Sequence, residues 1–172
     1  MEIVLERSFD PPIGAGDVRA MAQLLDDCSR SYKFSWRESY LAADGGRMCC
    51  WFSGVDAESV RHVLRQNGVD TSALWPGTVH SAAPPHSELQ PNVLVTRSFA
   101  KPVELEHIQA IEDAGDWCLQ SYQTSFVRTL FSLDRKRMLC LYCAPDAESV
   151  RLAQRQAGMP VQGVWSFTTF RP

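Results

Sequence analysis

The hexapeptide Asp-Ala-Glu-Ser-Val-Arg occupies residues 56–61 and recurs unchanged at residues 146–151. The tripeptide Arg-Ser-Phe at residues 7–9 likewise returns at residues 97–99, so both pairs are separated by the same 90-residue step. With that step and no gap, roughly a third of the positions in residues 7–80 are identical to their counterparts, far more than chance would give. A unit of this length is too long for a solenoid repeat and has the size of a small domain. We therefore expect a tandem duplication.

The predicted boundaries follow from the prolines between the two copies. Three prolines, together with serine and alanine, give the stretch from Ser81 to Pro91 the composition that is typical of linkers. The sequence thus predicts a first repeat in residues 1–80, a linker in residues 81–91 and a second repeat in residues 92–172.

Composition excludes several classes of partner. The chain has 172 residues, a formal net charge of -3 and a pI of about 5.8, which does not favour binding to nucleic acid or to an anionic membrane. It has no apolar run of membrane-spanning length, and residues 1–6 lack the basic start of a signal peptide. The six cysteines fit reduced, buried thiols. These features predict a cytoplasmic protein.

Each copy reads as two helices among four strands. In the first copy, apolar and β-branched residues predict a strand, and Asp17 then begins a helix with apolar residues at helical spacing. The turn Asp44-Gly45-Gly46 joins two further strands, Asp56 begins a second helix that Gly68 ends, and a last strand follows. The second copy repeats this pattern, with a long helix predicted from Glu104 to Tyr122. The order βαββαβ is that of a ferredoxin-like α+β fold.

The hairpin strands predict how the two copies pack. Met48, Cys50 and Phe52 alternate with Cys49 and Trp51, so both faces of this strand are apolar. Helices can cover one face, and the sheet of the other copy most simply covers the second. We therefore expect two ferredoxin-like repeats that form a pseudo-dimeric α+β barrel with a cavity between the sheets. Whether the fused chain associates further is left open.

The strand from Ser35 to Tyr40 carries the most unusual candidate site. By the period of two, Trp36, Glu38 and Tyr40 share one face, which places a carboxylate between two aromatic rings. The counterpart of Glu38 in the second copy is Arg128. Glu38 is therefore predicted either to project into the cavity as a ligand, a base or a metal oxygen donor, or to pair with Arg128 or face water at the rim of the barrel. With Cys50 and Cys140 near the pseudo-twofold axis, the predicted cavity is lined by Trp36, Glu38, Tyr40, Cys50, Arg128 and Cys140.

Metal-ligand patterns are weak. Cys140 and Cys143 form a C-x-x-C sequence, but residues three apart on a strand face opposite sides, which favours structural thiols over one metal site. None of the four histidines recurs between the copies, and His80 and His86, which flank the linker, are the candidate ligands for nickel or zinc.

Three motifs resemble a known bacterial family. They are Glu6-Arg7-Ser8-Phe9, the strand Trp36-Arg37-Glu38-Ser39-Tyr40, and the helix entry that runs from Cys140 to Arg151. The chain resembles a duplication of the nickel-binding, ferredoxin-like proteins grouped as domain of unknown function 4242. The resemblance implies single domains that dimerise through their sheets, and a nickel ion or another divalent transition metal as a possible cofactor. In the second copy Phe126, Arg128 and Leu130 replace the strand's Trp, Glu and Tyr.

Three functional hypotheses remain open. The first is a binding protein that holds a metal ion or small molecule in its cavity. The second is a cofactor-free enzyme of the monooxygenase, isomerase or cyclase type with Glu38 as general base, which rests on fold analogy. The third is a structural module that binds a protein partner. Because the two copies differ at Glu38 and Arg128, we expect one site per chain rather than two.

Overall fold

The computed structural model describes the backbone of residues 1–29, 32–82 and 89–172, and the side chains of these residues except 26–29. They form two compact units, one of Met1–Gly77 with Thr168–Pro172 and one of Thr78–Phe167. The predicted linker falls largely on residues 83–88, outside the described ranges, so the predicted boundaries stay a prediction. Within the described ranges, no helix combines the length and the apolar character that a membrane span requires.

The elements follow the predicted order in both repeats. The first repeat contains β1 (Glu2–Ser8), α1 (Ala15–Ser29), β2 (Phe34–Ala42), β3 (Arg47–Gly54), α2 (Ala57–Gln66) and β4 (Leu74–Ser81). The second contains β5 (Val93–Ser98), α3 (Leu105–Ala114), α4 (Asp116–Ser121), β6 (Ser125–Ser132), β7 (Arg137–Cys143), α5 (Ala147–Gln156) and β8 (Gly163–Phe170).

Each sheet has the strand order of the ferredoxin-like fold. In the first repeat β1 pairs antiparallel with β3 and β4, and β3 also pairs with β2, which gives the order β4-β1-β3-β2. In the second repeat β5 pairs with β7 and β8, and β7 with β6, which gives β8-β5-β7-β6. The predicted α+β class with two ferredoxin-like repeats is confirmed. That the sheets of the two repeats face each other stays a prediction from the sequence.

The repeated hexapeptide starts a helix in both copies. The carboxylate of Asp56 accepts a hydrogen bond from the backbone N–H of Ser59 at 2.7 Å, and Asp146 accepts one from Ser149 at 2.7 Å. These bonds satisfy N–H groups that have no partner within the helix. The first helix of the chain begins at Ala15, two residues before the predicted cap Asp17.

The long helix predicted from Glu104 to Tyr122 is interrupted at Gly115, which separates α3 from α4. A side chain at this position would place its Cβ 2.6 Å from the Cβ of Ala157, just after α5. Glycine thus lets the junction of α3 and α4 approach α5 closely. The prediction of one continuous helix was wrong, because the spacing of apolar residues along the sequence gives no sign that two helices come this close together.

The helices cover one face of each sheet, which we call the helix-side face. In the first repeat it carries a core of buried apolar side chains from β1, β2, β3, α1 and α2, among them Ile3, Leu5, Met48, Phe52, Val60 and Leu64. In the second repeat the corresponding core includes Val93, Val95, Met138, Cys140, Tyr142 and Val150. Charged and polar side chains interrupt these two apolar cores, among them Arg97 and Gln154 in the second repeat.

Candidate functional site

The predicted face-sharing of Trp36, Glu38 and Tyr40 is wrong because β2 is irregular at Arg37. Trp36 pairs with Phe52 of β3, whereas Glu38 pairs with the adjacent Trp51. The extra residue inverts the alternation of side chains, as a β-bulge does. Trp36 therefore packs against the helix-side core, and Glu38 and Tyr40 lie on the other face. The same irregularity separates Phe126 from Arg128 in β6.

Glu38 and Tyr40 form a buried polar pair with the end of the chain. The hydroxyl of Tyr40 donates to Glu38 Oε2 at 2.7 Å, and Arg171 Nε donates to Glu38 Oε1 at 3.0 Å. Arg171 belongs to the first compact unit. Glu38 is 9% exposed, so these bonds offset the cost of removing its carboxylate from water. A pairing of Glu38 with Arg128, which belongs to the other unit, stays a prediction.

A cavity of about 70 Å³ lies on the helix-side face of the first repeat, between the sheet and helices α1 and α2. Its walls are mostly aliphatic and aromatic. Two of the predicted site residues, Trp36 and Cys50, line it together, whereas Glu38 and Tyr40 do not. Its chemically distinctive wall residues are Arg7, Met21, Trp36, Ser39, Met48 and Cys50.

The polar groups of this cavity are connected to one another. The indole N–H of Trp36 donates to Ser39 Oγ at 2.9 Å. Burial raises the pKa of the Cys50 thiol to about 11, although its hydrogen bond with Ser39 and the charge of Arg7 act in the opposite direction. Cys50 is therefore a thiol rather than a thiolate at neutral pH, and a poor nucleophile or metal ligand there.

Arg7 is the charged residue in the lining of this cavity. Its Nη1 donates to the sulfur of Met21 at 3.1 Å, and its guanidinium carbon lies 4.7 Å from the ring centroid of Phe9. A thioether is a weak acceptor, and an aromatic face is a weak partner for a cation. Among the described side chains, Arg7 forms no salt bridge with a carboxylate.

The equivalent position in the second repeat is Arg97, and there the protein supplies its own carboxylate. Arg97 Nη2 donates to Gln154 Oε1 at 2.6 Å and lies 3.5 Å from Glu112 Oε1. The hydroxyl of Tyr142 donates to Glu112 Oε1 at 2.8 Å and accepts from Gln154 Nε2 at 3.2 Å. Ninety residues earlier, Glu112, Tyr142 and Gln154 correspond to Ala22, Phe52 and Leu64, none of which can accept a hydrogen bond through its side chain.

This second-repeat cluster is deeply buried. Arg97 is 2% exposed, and within the described residues its Nε and Nη1 have no hydrogen-bond partner. Burial raises the pKa of Glu112, while the charge of Arg97 and the hydrogen bond from Tyr142 oppose that shift. Cys140 also lies on this helix-side face, with its sulfur 2.7 Å from Thr129 Oγ1. Cys50 and Cys140 thus lie in separate cores, one in each repeat.

The predicted histidine site lies partly outside the described residues. His80 is exposed, and its Nε2 lies 2.8 Å from Thr78 Oγ1, while His86 lies outside the described residues. In the described part of the chain, no three side chains of His, Cys, Asp or Glu come together as metal ligands would. A nickel or zinc site at His80 and His86 therefore stays a prediction.

Sequence reasoning missed Arg7, although its signal was present. Arg7 and Arg97 belong to the repeated tripeptide, and each is a charged residue on the inward side of an apolar strand, two residues after Leu5 or Val95. A charge at the same inward position in both copies was the available indication. The differences at Ala22 and Glu112 could not be interpreted until the structure brought them beside the arginines.

Known structures share the fold. A candidate chlorite dismutase superposes with a TM-score of 0.55 at 10% identity, with 99% of this chain and 94% of that chain covered. An anthrone oxidase-like protein gives a TM-score of 0.45 at 10% identity, covering 99% and 92% of the two chains. A candidate monooxygenase from Lactobacillus acidophilus NCFM gives 0.44 at 7% identity, covering 98% and 93%. At such identities the first superposition shows a similar fold and nothing about function. The other two TM-scores are too low to support a conclusion.

The family comparison is specific. No curated protein matches the chain. The pattern of the family described as nickel responsive protein, SCO4226-like, matches residues 4–76 and again residues 94–166, which is most of both repeats. The chain therefore belongs to the SCO4226-like nickel-responsive family and carries two copies of its domain in tandem.

Proposed function

We propose that the chain is a small-molecule binding protein whose ligand enters the helix-side cavity of the first repeat. The observation that carries this proposal is the contrast between the repeats at equivalent positions. In the second repeat, Arg97 has the carboxylate of Glu112 beside it, and Tyr142 and Gln154 hydrogen-bond with this pair, whereas in the first repeat Arg7 lines a cavity and has no carboxylate partner among the described side chains. The simplest explanation of this difference is that the first repeat binds a ligand and the second repeat stabilises the fold.

The cavity sets limits on the ligand. At about 70 Å³ it is smaller than a ~150 Å³ engineered cavity that holds benzene, so the buried part of the ligand is small. Leu5, Met48 and Phe52 favour an apolar body, and Trp36 and Ser39 end the cavity with polar groups. We therefore expect a compact molecule with a short hydrocarbon portion.

Nickel binding is the finer hypothesis that the family description supports. The described side chains support it less, because none of their groups supplies three metal donors in one place. Titration of the tag-free protein with nickel chloride, followed by calorimetry, tests it directly. Heat that saturates at a fixed ratio of metal to protein would support the metal hypothesis over the small-molecule hypothesis.

The enzyme hypothesis rests on Glu38. Its carboxylate accepts hydrogen bonds from Tyr40 and Arg171, and lone pairs that these two bonds leave over are the sites that could take a proton from a substrate. The buried Glu38–Tyr40 pair still offers an acid and a hydroxyl on one face, so the enzyme remains the alternative. A Glu38→Gln variant that keeps full ligand binding would separate this pair from the binding function.

The proposal is tested with 5-fluorotryptophan-labelled protein. The chain has five tryptophans, and Trp36 is the one that lines the cavity, so its ¹⁹F resonance can be assigned with a Trp36→Phe variant. Titration with 1-butanol, a small neutral probe with an apolar body, should shift the Trp36 resonance and leave those of Trp75 and Trp165 unchanged. Equal shifts at all five tryptophans, or no saturable shift at Trp36, would contradict the proposal.

A further inference from the structure

We propose that the ligand of the first repeat carries a carboxylate, which binds at Arg7 in the place that the side chain of Glu112 fills in the second repeat. This inference rests on the proposed function and specifies its ligand class as small aliphatic monocarboxylates. It requires no chemical step, only binding.

The second repeat shows what the arginine at this position binds. Arg97 and Arg7 occupy equivalent places on β5 and β1, each facing the helices of its own repeat. Glu112 reaches Arg97 from α3, with the hydroxyl of Tyr142 donating to the same carboxylate oxygen. The pair keeps the guanidinium charge balanced inside the core, where an uncompensated charge is costly.

In the first repeat no described side chain supplies this carboxylate, and Arg7 lines a cavity. Ala22 stands where Glu112 would be, and both Ala22 and Arg7 line the cavity. Removing the side chain beyond Cβ at that position leaves room for a carboxylate that comes from a ligand. The remaining wall is apolar and fits the short hydrocarbon part that the side chain of a glutamate also has.

The other charges near Arg7 do not replace this partner. The charge of Arg7 helps to lower the pKa of Asp70, but hydrogen bonds from the backbone N–H and the hydroxyl of Ser72 lower it more. Asp70 is also fully exposed. An exposed carboxylate at the surface is screened by water and contributes little to the stability of a half-buried cation. Cys50 is neutral because burial raises its pKa. The charge complement of Arg7 is therefore best supplied by an anion in the cavity.

The test compares propionate with propionamide, a neutral molecule of nearly the same shape, using the Trp36 ¹⁹F resonance at constant ionic strength. We expect propionate to bind at least about tenfold more tightly than propionamide, the factor expected from a charge-assisted hydrogen bond. Arg7→Met should remove that preference, so that propionate and propionamide bind this variant equally. Arg19→Met is the matched control, because Arg19 is an exposed arginine on α1 outside the cavity lining.

A second variant keeps the test independent of any folding defect in Arg7→Met. Ala22→Glu introduces into the first repeat the carboxylate that the second repeat contains, and it should abolish propionate binding without lowering the melting temperature. In the reverse experiment, Glu112→Ala opens the same place beside Arg97, and propionate should raise the melting temperature of that variant more than propionamide does.

The outcomes separate this inference from the function on which it rests. If 1-butanol binds at Trp36 but propionate binds no better than propionamide, the carboxylate inference is wrong and the binding function stands. If neither 1-butanol nor propionate shifts the Trp36 resonance, both are wrong. Loss of the propionate preference in Arg19→Met as well as in Arg7→Met would also overturn the assignment to Arg7.

Discussion

Arg7 and Arg97 show how one residue type at equivalent positions can lie in two different surroundings. Arg97 is buried and compensated by Glu112, Tyr142 and Gln154, while Arg7 is half-buried and lines a cavity. The first arrangement stabilises a core and the second leaves a charged group accessible to a ligand. The difference depends on single substitutions between the copies, above all Ala22 against Glu112.

Removing Glu112 should destabilise the protein strongly. In Glu112→Ala, Arg97 keeps its buried charge without a carboxylate, and breaking a buried pair in this way costs about 3–5 kcal/mol of the free energy of unfolding. The double variant Arg97→Met/Glu112→Leu should recover most of this loss. Urea unfolding measures the free energy of unfolding of both variants. A loss below about 1 kcal/mol in Glu112→Ala would mean that Glu112 does not compensate the charge of Arg97.

Cys50 should react slowly with alkylating reagents at neutral pH. Burial raises the pKa of its thiol to about 11, so the thiolate that reacts is scarce until the pH approaches that value. Mass spectrometry after iodoacetamide treatment at increasing pH should show modification of Cys50 that rises steeply above pH 9, and propionate should slow it. Rapid modification of Cys50 at pH 7 would contradict the raised pKa and the closed cavity wall.

At the scale of elements, the capping aspartates make the helix starts sensitive to acid. The backbone N–H of Ser59, and then its hydroxyl, lower the pKa of Asp56 below its value in the unfolded chain. A lowered carboxyl pKa stabilises the fold above the unfolded pKa of about 3.9, and this contribution is lost as the pH falls through the folded pKa. Asp56→Ala should lower the melting temperature at pH 7, and less so at pH 3.

The matched control for this prediction is Asp56→Asn. Asparagine also caps helices but carries no titratable carboxyl, so this variant should keep more of the stability at pH 7 and show a weaker dependence on pH between 5 and 2. Thermal unfolding followed by circular dichroism measures the three proteins. An identical pH profile for wild type and Asp56→Asn would exclude the cap as a source of acid sensitivity.

The break between α3 and α4 depends on Gly115. Gly115→Ala would place a methyl group 2.6 Å from the Cβ of Ala157, and overpacking of this kind typically costs about 1–3 kcal/mol. Gly16→Ala is the control, because a Cβ at Gly16 in α1 meets nothing within 4 Å and should be neutral or stabilising. Urea unfolding of both variants tests this, and equal stability would show that α3 and α5 can move apart freely.

The limits of the sequence reasoning are clearest in β2. The repeated hexapeptide, the Asp44-Gly45-Gly46 turn and the helix-ending glycines predicted the elements because each has a local physical signature. The irregularity at Arg37 has no such signature, and it moved Trp36 to the helix-side face and away from Glu38. A single inserted residue reverses every assignment of faces that depends on a period of two.

At the scale of the whole molecule, duplication explains why one chain can hold two different versions of one site. In a homodimer of identical domains, any substitution at Ala22 would change both halves together. In the fused chain, the second repeat carries Glu112, Tyr142 and Gln154 while the first keeps the cavity. The sequence predicts an asymmetry at Glu38 and Arg128, whereas the contrast that supports the proposed site lies at Arg7 and Arg97.

The site could not be predicted fully from the sequence for a related reason. Comparison of the copies reveals that Ala22 and Glu112 differ, but only the structure brings Glu112 from α3 beside Arg97 on β5. The tertiary contact, and not the pattern along the chain, gives the substitution its meaning.

The most direct test of a carboxylate site at Arg7 is a crystal structure of the wild-type protein grown with propionate. We predict one propionate per chain, with its carboxylate on Arg7 and its methyl end among Leu5, Met48 and Phe52. We predict none beside Arg97, because the side chain of Glu112 occupies that position. Propionate beside Arg97, or a cavity at Arg7 that stays without propionate at saturating concentration, would contradict it.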